Sequence, residues 1–200
     1  MGDSITDAGR DKRNYHHMGN GYPKFASQLI SEAHPEIEFE FINFGISGNR
    51  TCQVFDRLYT DAIEFEPEVF SILIGINDIW HRYGKNRIAT TDAQIETNYR
   101  AILDRVKRET NARIIMLSPY LLDCEDKQHM RGDLNTVLAI VEKLAEEFAD
   151  VYVPLDERFA EAIKTQPEPL YYSADGVHPN QNGAEFIGKL YAEAVETLLK

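Results

Sequence analysis

The chain has little sulfur, a single tryptophan and a deficit of basic side chains. Of its 200 residues only two are cysteine, Cys52 and Cys124, far apart and matching no metal-ligand spacing. That count gives no disulfide framework and no cysteine zinc motif, and a buried or incidental thiol is the reading for each. No apolar run approaches the ~20 residues of a membrane span. No charged-then-apolar leader opens the chain, so the cytoplasm is the default compartment. Lys and Arg number 21 against 33 Asp and Glu, a formal net charge of −12. Nucleic acid and anionic membrane surfaces need a basic face, so this balance argues against both and favours a neutral substrate.

What is present is ordinary globular composition, 43% hydrophobic and 27% charged, at a length that suits one domain over residues 1–200. Hydrophobic period alternates along it. Residues 22–33 carry a helical stripe of Phe25, Leu29, Ile30 and Ala33, whereas 37–43 alternate as a half-buried strand with Ile37, Phe39 and Phe41 on one side. Residues 53–63 return to helix. The run from Val69 to Ile74 is almost wholly apolar and stops at Gly75, as a parallel strand buried on both faces does. Helix is expected over 92–109, 132–149 and 181–199, and short strands over 114–117 and 151–153. The irregular stretches are about 7–20, 79–91, 119–130 and 165–180. Alternating strand and helix predicts a parallel sheet with helices on both faces.

Four short blocks carry chemistry: Gly2-Asp3-Ser4-Ile5, Gly45-Ile46-Ser47-Gly48-Asn49, Gly75-Ile76-Asn77-Asp78 and Asp175-Gly176-Val177-His178-Pro179. Ser4 is a candidate nucleophile, with an N-terminal turn or cap serine as the plain alternative. His178 has a carboxylate three residues upstream. Asp175 could accept from its Nδ1 and leave Nε2 facing a hydroxyl, or simply cap a loop. Gly48 and Asn77 are candidate oxyanion donors, one through a backbone N–H and the other through a side-chain amide; turn formation and helix capping explain them equally well one at a time. Together the four supply nucleophile, base, orienting carboxylate and oxyanion donors.

In that order the blocks resemble the signature of the SGNH/GDSL hydrolase superfamily, over residues 2 to 180. The longer strings through Asp7, Asn49 and Trp80 resemble its acetylxylan and acetyl-xylooligosaccharide esterase branch. The resemblance implies a flavodoxin-like three-layer α/β/α sandwich. It implies Ser4 as nucleophile, His178 as base, Asp175 as its orienting partner, and an oxyanion hole of the Ser4 and Gly48 amides with the Asn77 side chain. It implies no cofactor, and it leaves a homo-oligomer open. One departure stands out. The family has a hydrophobic strand immediately before Gly-Asp-Ser, and here the chain starts at Met1-Gly2, so the expectation is a shortened N-terminus or a strand replaced from elsewhere.

Around these blocks Asp3, Trp80, Arg82 and Tyr172 are candidate substrate contacts, with Tyr15, His16, His17 and Tyr171 as further candidates for a sugar-facing platform. Nothing suggests a long apolar lid, which points to short acyl groups such as acetyl. The expected activity is a serine esterase acting on an ester of a small molecule or oligosaccharide. Thioesterase and lysophospholipase activity keep the same residues. A metal-dependent phosphoesterase built on Asp3, Asp78, Asp175 and His178, or a non-catalytic sugar-binding module, are readings of other classes.

Overall fold

The computed structural model describes residues 1–83, 88–166, 168 and 171–200. Residues 84–87 of the irregular stretch 79–91, and 167, 169 and 170 of the stretch 165–180, lie outside the described residues. The centre is a parallel sheet of β1 (Val69–Leu73), β2 (Arg113–Leu117) and β3 (Val151–Val153) in that spatial order. Val69 stands opposite Arg113, Leu73 opposite Leu117, and Ile115 opposite Val151. Ile72, Leu73, Ile114, Ile115, Met116 and Leu117 are all buried. A strand covered on both faces needs apolar residues at consecutive positions, which is the pattern the sequence shows there.

Two more sheet positions exist as single bridges. Gly2 pairs in parallel with Leu73 on one side and Gly45 on the other. Leu73 N–H donates to the Met1 carbonyl at 3.3 Å, and Ile46 N–H donates to the Gly2 carbonyl at 3.1 Å. The lateral order is therefore the Gly45 segment, Gly2, β1, β2, β3, the 2-1-3-4-5 order of flavodoxin-like sheets. The expected strand over 37–43 is corrected here: these residues form no ladder. A strand needs a neighbour along its length, and the parallel bridge to Gly2 is made by Gly45, beyond this segment. What holds the segment instead is a pair of loop contacts, Asn43 N–H to the Tyr15 carbonyl at 2.8 Å and the His16 ring Nδ1 to the Phe41 carbonyl at 3.1 Å.

Helices cover both faces. In chain order they are α1 (Ser4–Asp7), α2 (Tyr22–Ala33), α3 (Thr51–Asp56), α4 (Leu58–Asp61), α5 (Ile76–Tyr83), α6 (Asp92–Glu109), α7 (Arg131–Phe148), α8 (Leu155–Ile163) and α9 (Gln181–Leu199). α2 packs on α9, which also lies against β3, while α6 packs between α3 and α7. The result is a three-layer α/β/α sandwich. α6 shows why these segments are helical. Thr91 and Gln94 form a reciprocal capping box, Lys107 and Arg108 stand in the last turn, and Ile95, Tyr99, Ile102, Leu103 and Val106 make one buried stripe.

Four further differences separate the structure from the sequence reading. The helix expected over 53–63 breaks at Arg57 into α3, α4 and a 3₁₀ turn over Ile63–Phe65. Arg57 turns inward there, donating to the carbonyls of Gly2 (3.1 Å) and Phe44 (2.8 Å), to Asn49 Oδ1 (2.8 Å) and to Asp61 (2.7 Å). α5 opens directly at the end of β1, inside a stretch partly read as irregular, and Glu125–Met130 is a 3₁₀ helix leading into α7. α8 went unassigned, although Leu155, Phe159 and Ala162 recur at helical spacing. Phe159 explains its docking, with its ring 4.6 Å from Tyr120 and 5.0 Å from Phe186. Among the described residues no helix is long and apolar enough to cross a membrane.

Candidate active site

Ser4 opens α1, a single turn beyond the Gly2 bridge. Asp3 caps that turn: its Oδ1 accepts the Ile5 N–H at 3.0 Å. The turn closes when Ala8, in the left-handed region at φ 39°, returns its N–H to the Ser4 carbonyl at 3.0 Å. Ile5, Thr6 and Asp7 are buried, while Ser4 remains half-buried. The hydroxyl is thereby held at the lip of the sheet, where ligands bind in open α/β folds.

His178 reaches Ser4 from the loop before α9. Ser4 Oγ lies 2.9 Å from His178 Nε2, and His178 Nδ1 lies 2.8 Å from Asp175 Oδ2. Asp175 Oδ1 accepts the N–H groups of Val177 (3.0 Å) and His178 (2.7 Å), so the carboxylate folds its own loop while orienting the ring. Burial pushes the Asp175 carboxyl up, but the His178 ring and those two N–H groups outweigh it and hold the group below the usual carboxylate range. An ionised carboxylate only accepts, so Nδ1 carries the ring hydrogen and Nε2 accepts from the Ser4 hydroxyl. Three further bonds brace the loop: Ser173 Oγ to the His178 carbonyl (2.7 Å), the Tyr120 hydroxyl to the Val177 carbonyl (2.8 Å), and Leu122 N–H to the Gly176 carbonyl (2.8 Å).

The Gly48 turn is fastened from three directions. Asn49 N–H donates to the Ile46 carbonyl at 3.1 Å, and Gly48 has φ 81°, a left-handed conformation suited to glycine. Ser47 donates through N–H and Oγ to Asp7 Oδ2 at 2.9 and 2.7 Å, tying the turn to the end of α1. Asn77 in α5 donates its side-chain amide to the Asn49 carbonyl at 3.1 Å. Beside it, the buried Asp78 accepts the Thr51 N–H (2.9 Å) and hydroxyl (2.8 Å), capping α3 from α5. Burial raises the Asp78 carboxyl despite those two bonds. Among the described residues neither the Ser4 N–H nor the Gly48 N–H has an acceptor, and Asn77 keeps a second amide hydrogen. The arrangement can take a proton from a hydroxyl and offer N–H groups to a developing oxyanion.

The candidate substrate contacts separate. Trp80 stays at the site, its ring 5.7 Å from the His178 ring and under the Lys127 ammonium at 5.2 Å. Three others are engaged elsewhere. Asp3 is fully buried and offers no surface to a ligand. Arg82 is consumed by Asp92 (2.6 Å), Asp133 (3.2 Å) and the Thr90 carbonyl (2.9 Å), which bind α5 to its neighbours. Tyr172 is 8% exposed and packs on Phe159 and Phe186. Tyr15 stacks on Phe44 and meets Phe65 edge-on, and His17 Nδ1 accepts the Asp11 N–H, so both serve their loop. His16 lies against Tyr15, and Tyr171 is exposed with its carbonyl accepting from Asn180 and Asn182. Sequence reasoning missed Arg57, Ser173 and Tyr120 as supports; nothing short of the tertiary fold signals that a polar side chain points inward. Among the described residues no three His, Cys, Asp or Glu side chains converge as metal ligands.

The three-layer α/β/α sandwich on a parallel sheet is that of the SGNH hydrolases, and the chain belongs to the GDSL-like lipase/acylhydrolase family, whose model matches residues 1–186. It is a carboxylic ester hydrolase. An acetylxylan esterase of Geobacillus stearothermophilus is 29% identical over 202 residues, covering 98% of this chain and 91% of that protein. The solved structure of that esterase superposes with a TM-score of 0.88 at 28% identity, over 97% of this chain and 91% of the other. A GDSL-like protein of Parabacteroides merdae superposes with a TM-score of 0.91 at 33% identity, over 98% and 93%. Catalytic mutants of the Geobacillus esterase each replace one residue by alanine: a serine, a histidine, or an aspartate three positions before that histidine.

Proposed function

We propose that this protein is a serine esterase that removes short acyl groups, acetyl foremost, from carbohydrate. The hydrogen-bonded line from Ser4 Oγ through His178 to Asp175 carries the reading. Ser4 Oγ attacks the ester carbonyl as its proton passes to His178 Nε2, and the imidazolium is held by Asp175. The Ser4 and Gly48 N–H groups and the free hydrogen of Asn77 receive the oxyanion. Collapse expels the sugar alkoxide, which takes the proton from His178 and leaves acetyl on Ser4. Water then attacks that ester with His178 again as base, releasing acetate and restoring the hydroxyl. The carbohydrate preference rests on likeness to the acetylxylan esterase and on Trp80, an aromatic face beside His178 on which a sugar ring can stack.

The decisive experiment follows acetate release from acetylated xylo-oligosaccharides and from short p-nitrophenyl esters. Ser4→Ala and His178→Ala are each expected to lower kcat by about 10⁴ or more, and Asp175→Ala by less. Activity should fall in acid, because a protonated imidazole can no longer act as a base. Acetate release surviving in Ser4→Ala would sink the mechanism, and a preference for acyl chains of eight carbons or more would sink the substrate class.

A further inference from the structure

Asp3 precedes Ser4 and is fully enclosed, yet the chemistry above does not use its carboxylate. One oxygen, Oδ1, accepts the Ile5 N–H at 3.0 Å. The other, Oδ2, is buried with no hydrogen-bond partner, and the group forms no ion pair among the described residues. An orphaned carboxylate oxygen in the interior costs several kcal/mol relative to a neutral isostere, so a bare capping role fits it poorly. Serine, threonine or asparagine caps a helix as well without placing a charge inside.

The surroundings say what such a charge does. Asp78 faces it from α5 and His178 from the loop before α9; Tyr22 of α2, Tyr99 of α6 and Tyr120 beyond β2 are the other ionisable groups acting on it. His178 is the one group among these that becomes cationic. Burial pushes the Asp3 carboxyl up to about 7, with Asp78 adding to the rise and His178 opposing it. Asp3 therefore loses its proton over the range in which an imidazole does.

We propose that Asp3 is a positioning residue with two linked tasks: its Oδ1 holds the turn that presents Ser4, and its buried negative charge stabilises the imidazolium that His178 becomes while Ser4 attacks. The proposal rests on the serine-esterase reading. Asp175 orients the ring through a direct bond; Asp3 acts through space and touches no substrate.

The test compares wild type, Asp3→Asn and Asp3→Ala on a neutral acetate ester across pH 4.5 to 9, with melting curves to check folding. Asparagine keeps the cap and the volume but not the charge. Asp3→Asn is expected to lower the plateau kcat by about three- to tenfold with KM unchanged. Its acid limb should be less steep than the wild-type limb, to which the Asp3 carboxyl also contributes. Asp3→Ala, which also loses the cap, should lose a further several-fold in kcat. A profile for Asp3→Asn that superposes on wild type would reduce Asp3 to a cap. A rise in KM with kcat intact would make it a substrate contact. Either result overturns the proposal. Ser4→Ala in the same assay separates these outcomes from failure of the esterase reading, since residual turnover there undermines the mechanism itself. If Asp3→Ala does not fold, the Asp3→Asn profile alone decides.

Discussion

Asn77 donates its side-chain amide to the Asn49 carbonyl at 3.1 Å, locking the start of α5 to the turn that carries Gly48. One side chain thus fixes the place of the Gly48 N–H and keeps a hydrogen of its own, the two groups that the proposed mechanism directs at the oxyanion. Asn77→Ala removes both contributions. Kinetics on a neutral acetate ester should show kcat lower by about 10²–10³ with little change in KM. A loss below fivefold would remove Asn77 from the oxyanion hole.

Asp3 also makes folding stability depend on pH. Its carboxyl is raised to about 7 in the folded protein by burial, against about 4 when unfolded. Between those values the folded state holds the extra proton, so stability falls as pH rises through the window. Asp3→Asn removes this dependence. The difference in unfolding free energy between Asp3→Asn and wild type should grow with pH from about 4 to 7, by a few kcal/mol, and then level off. Denaturant titrations at four or five pH values measure it, and a constant difference would contradict an ionising Asp3.

Gly176 and Gly48 share a left-handed backbone, at φ 84° and 81°, but not their surroundings. A Cβ on Gly176 would stand 2.8 Å from Cys124 Cβ and 3.2 Å from the Leu122 carbonyl, whereas one on Gly48 would meet nothing within 4 Å. Gly176→Ala is expected to cost about 2–3 kcal/mol, strain plus clash, and to displace the loop that carries His178. Gly48→Ala should cost only about 1 kcal/mol of stability while lowering kcat more than that loss explains. Melting temperatures and kcat for the two variants separate the cases.

Arg57 joins Gly2, Phe44, Asn49 and Asp61, so it connects the residue two positions before Ser4 to the turn that holds Gly48. Its side chain is 14% exposed. Arg57→Ala leaves those acceptors without their donor and should cost about 2–4 kcal/mol. Arg57→Lys keeps the charge but loses the planar fork, and should recover stability only in part and activity less. Full recovery by lysine would show that charge alone matters there.

The sheet centre and the large helices were legible because burial on both faces leaves a continuous apolar run, as at Val69–Leu73, and burial on one face leaves a stripe, as on α6. The segment 37–43 misled because alternation records only which side chains face inward; a strand also needs a partner backbone, which alternation does not report. The break at Arg57 was illegible for a related reason. Local helical pattern continues through it, and only the distant carbonyls of Gly2 and Phe44 draw the guanidinium inward.

The sequence by itself determined the alternation of strands and helices and the order of the four blocks, since both follow from residue type and spacing along the chain. The tertiary structure decided which coincidences became chemistry. It brought His178 to within 2.9 Å of a serine 174 positions away, left Trp80 beside that ring, buried Tyr172 and Asp3, and tied Arg82 to Asp92 and Asp133. Those outcomes depend on which backbone groups and charges meet when the layers close, a property of the packed molecule that no local pattern encodes.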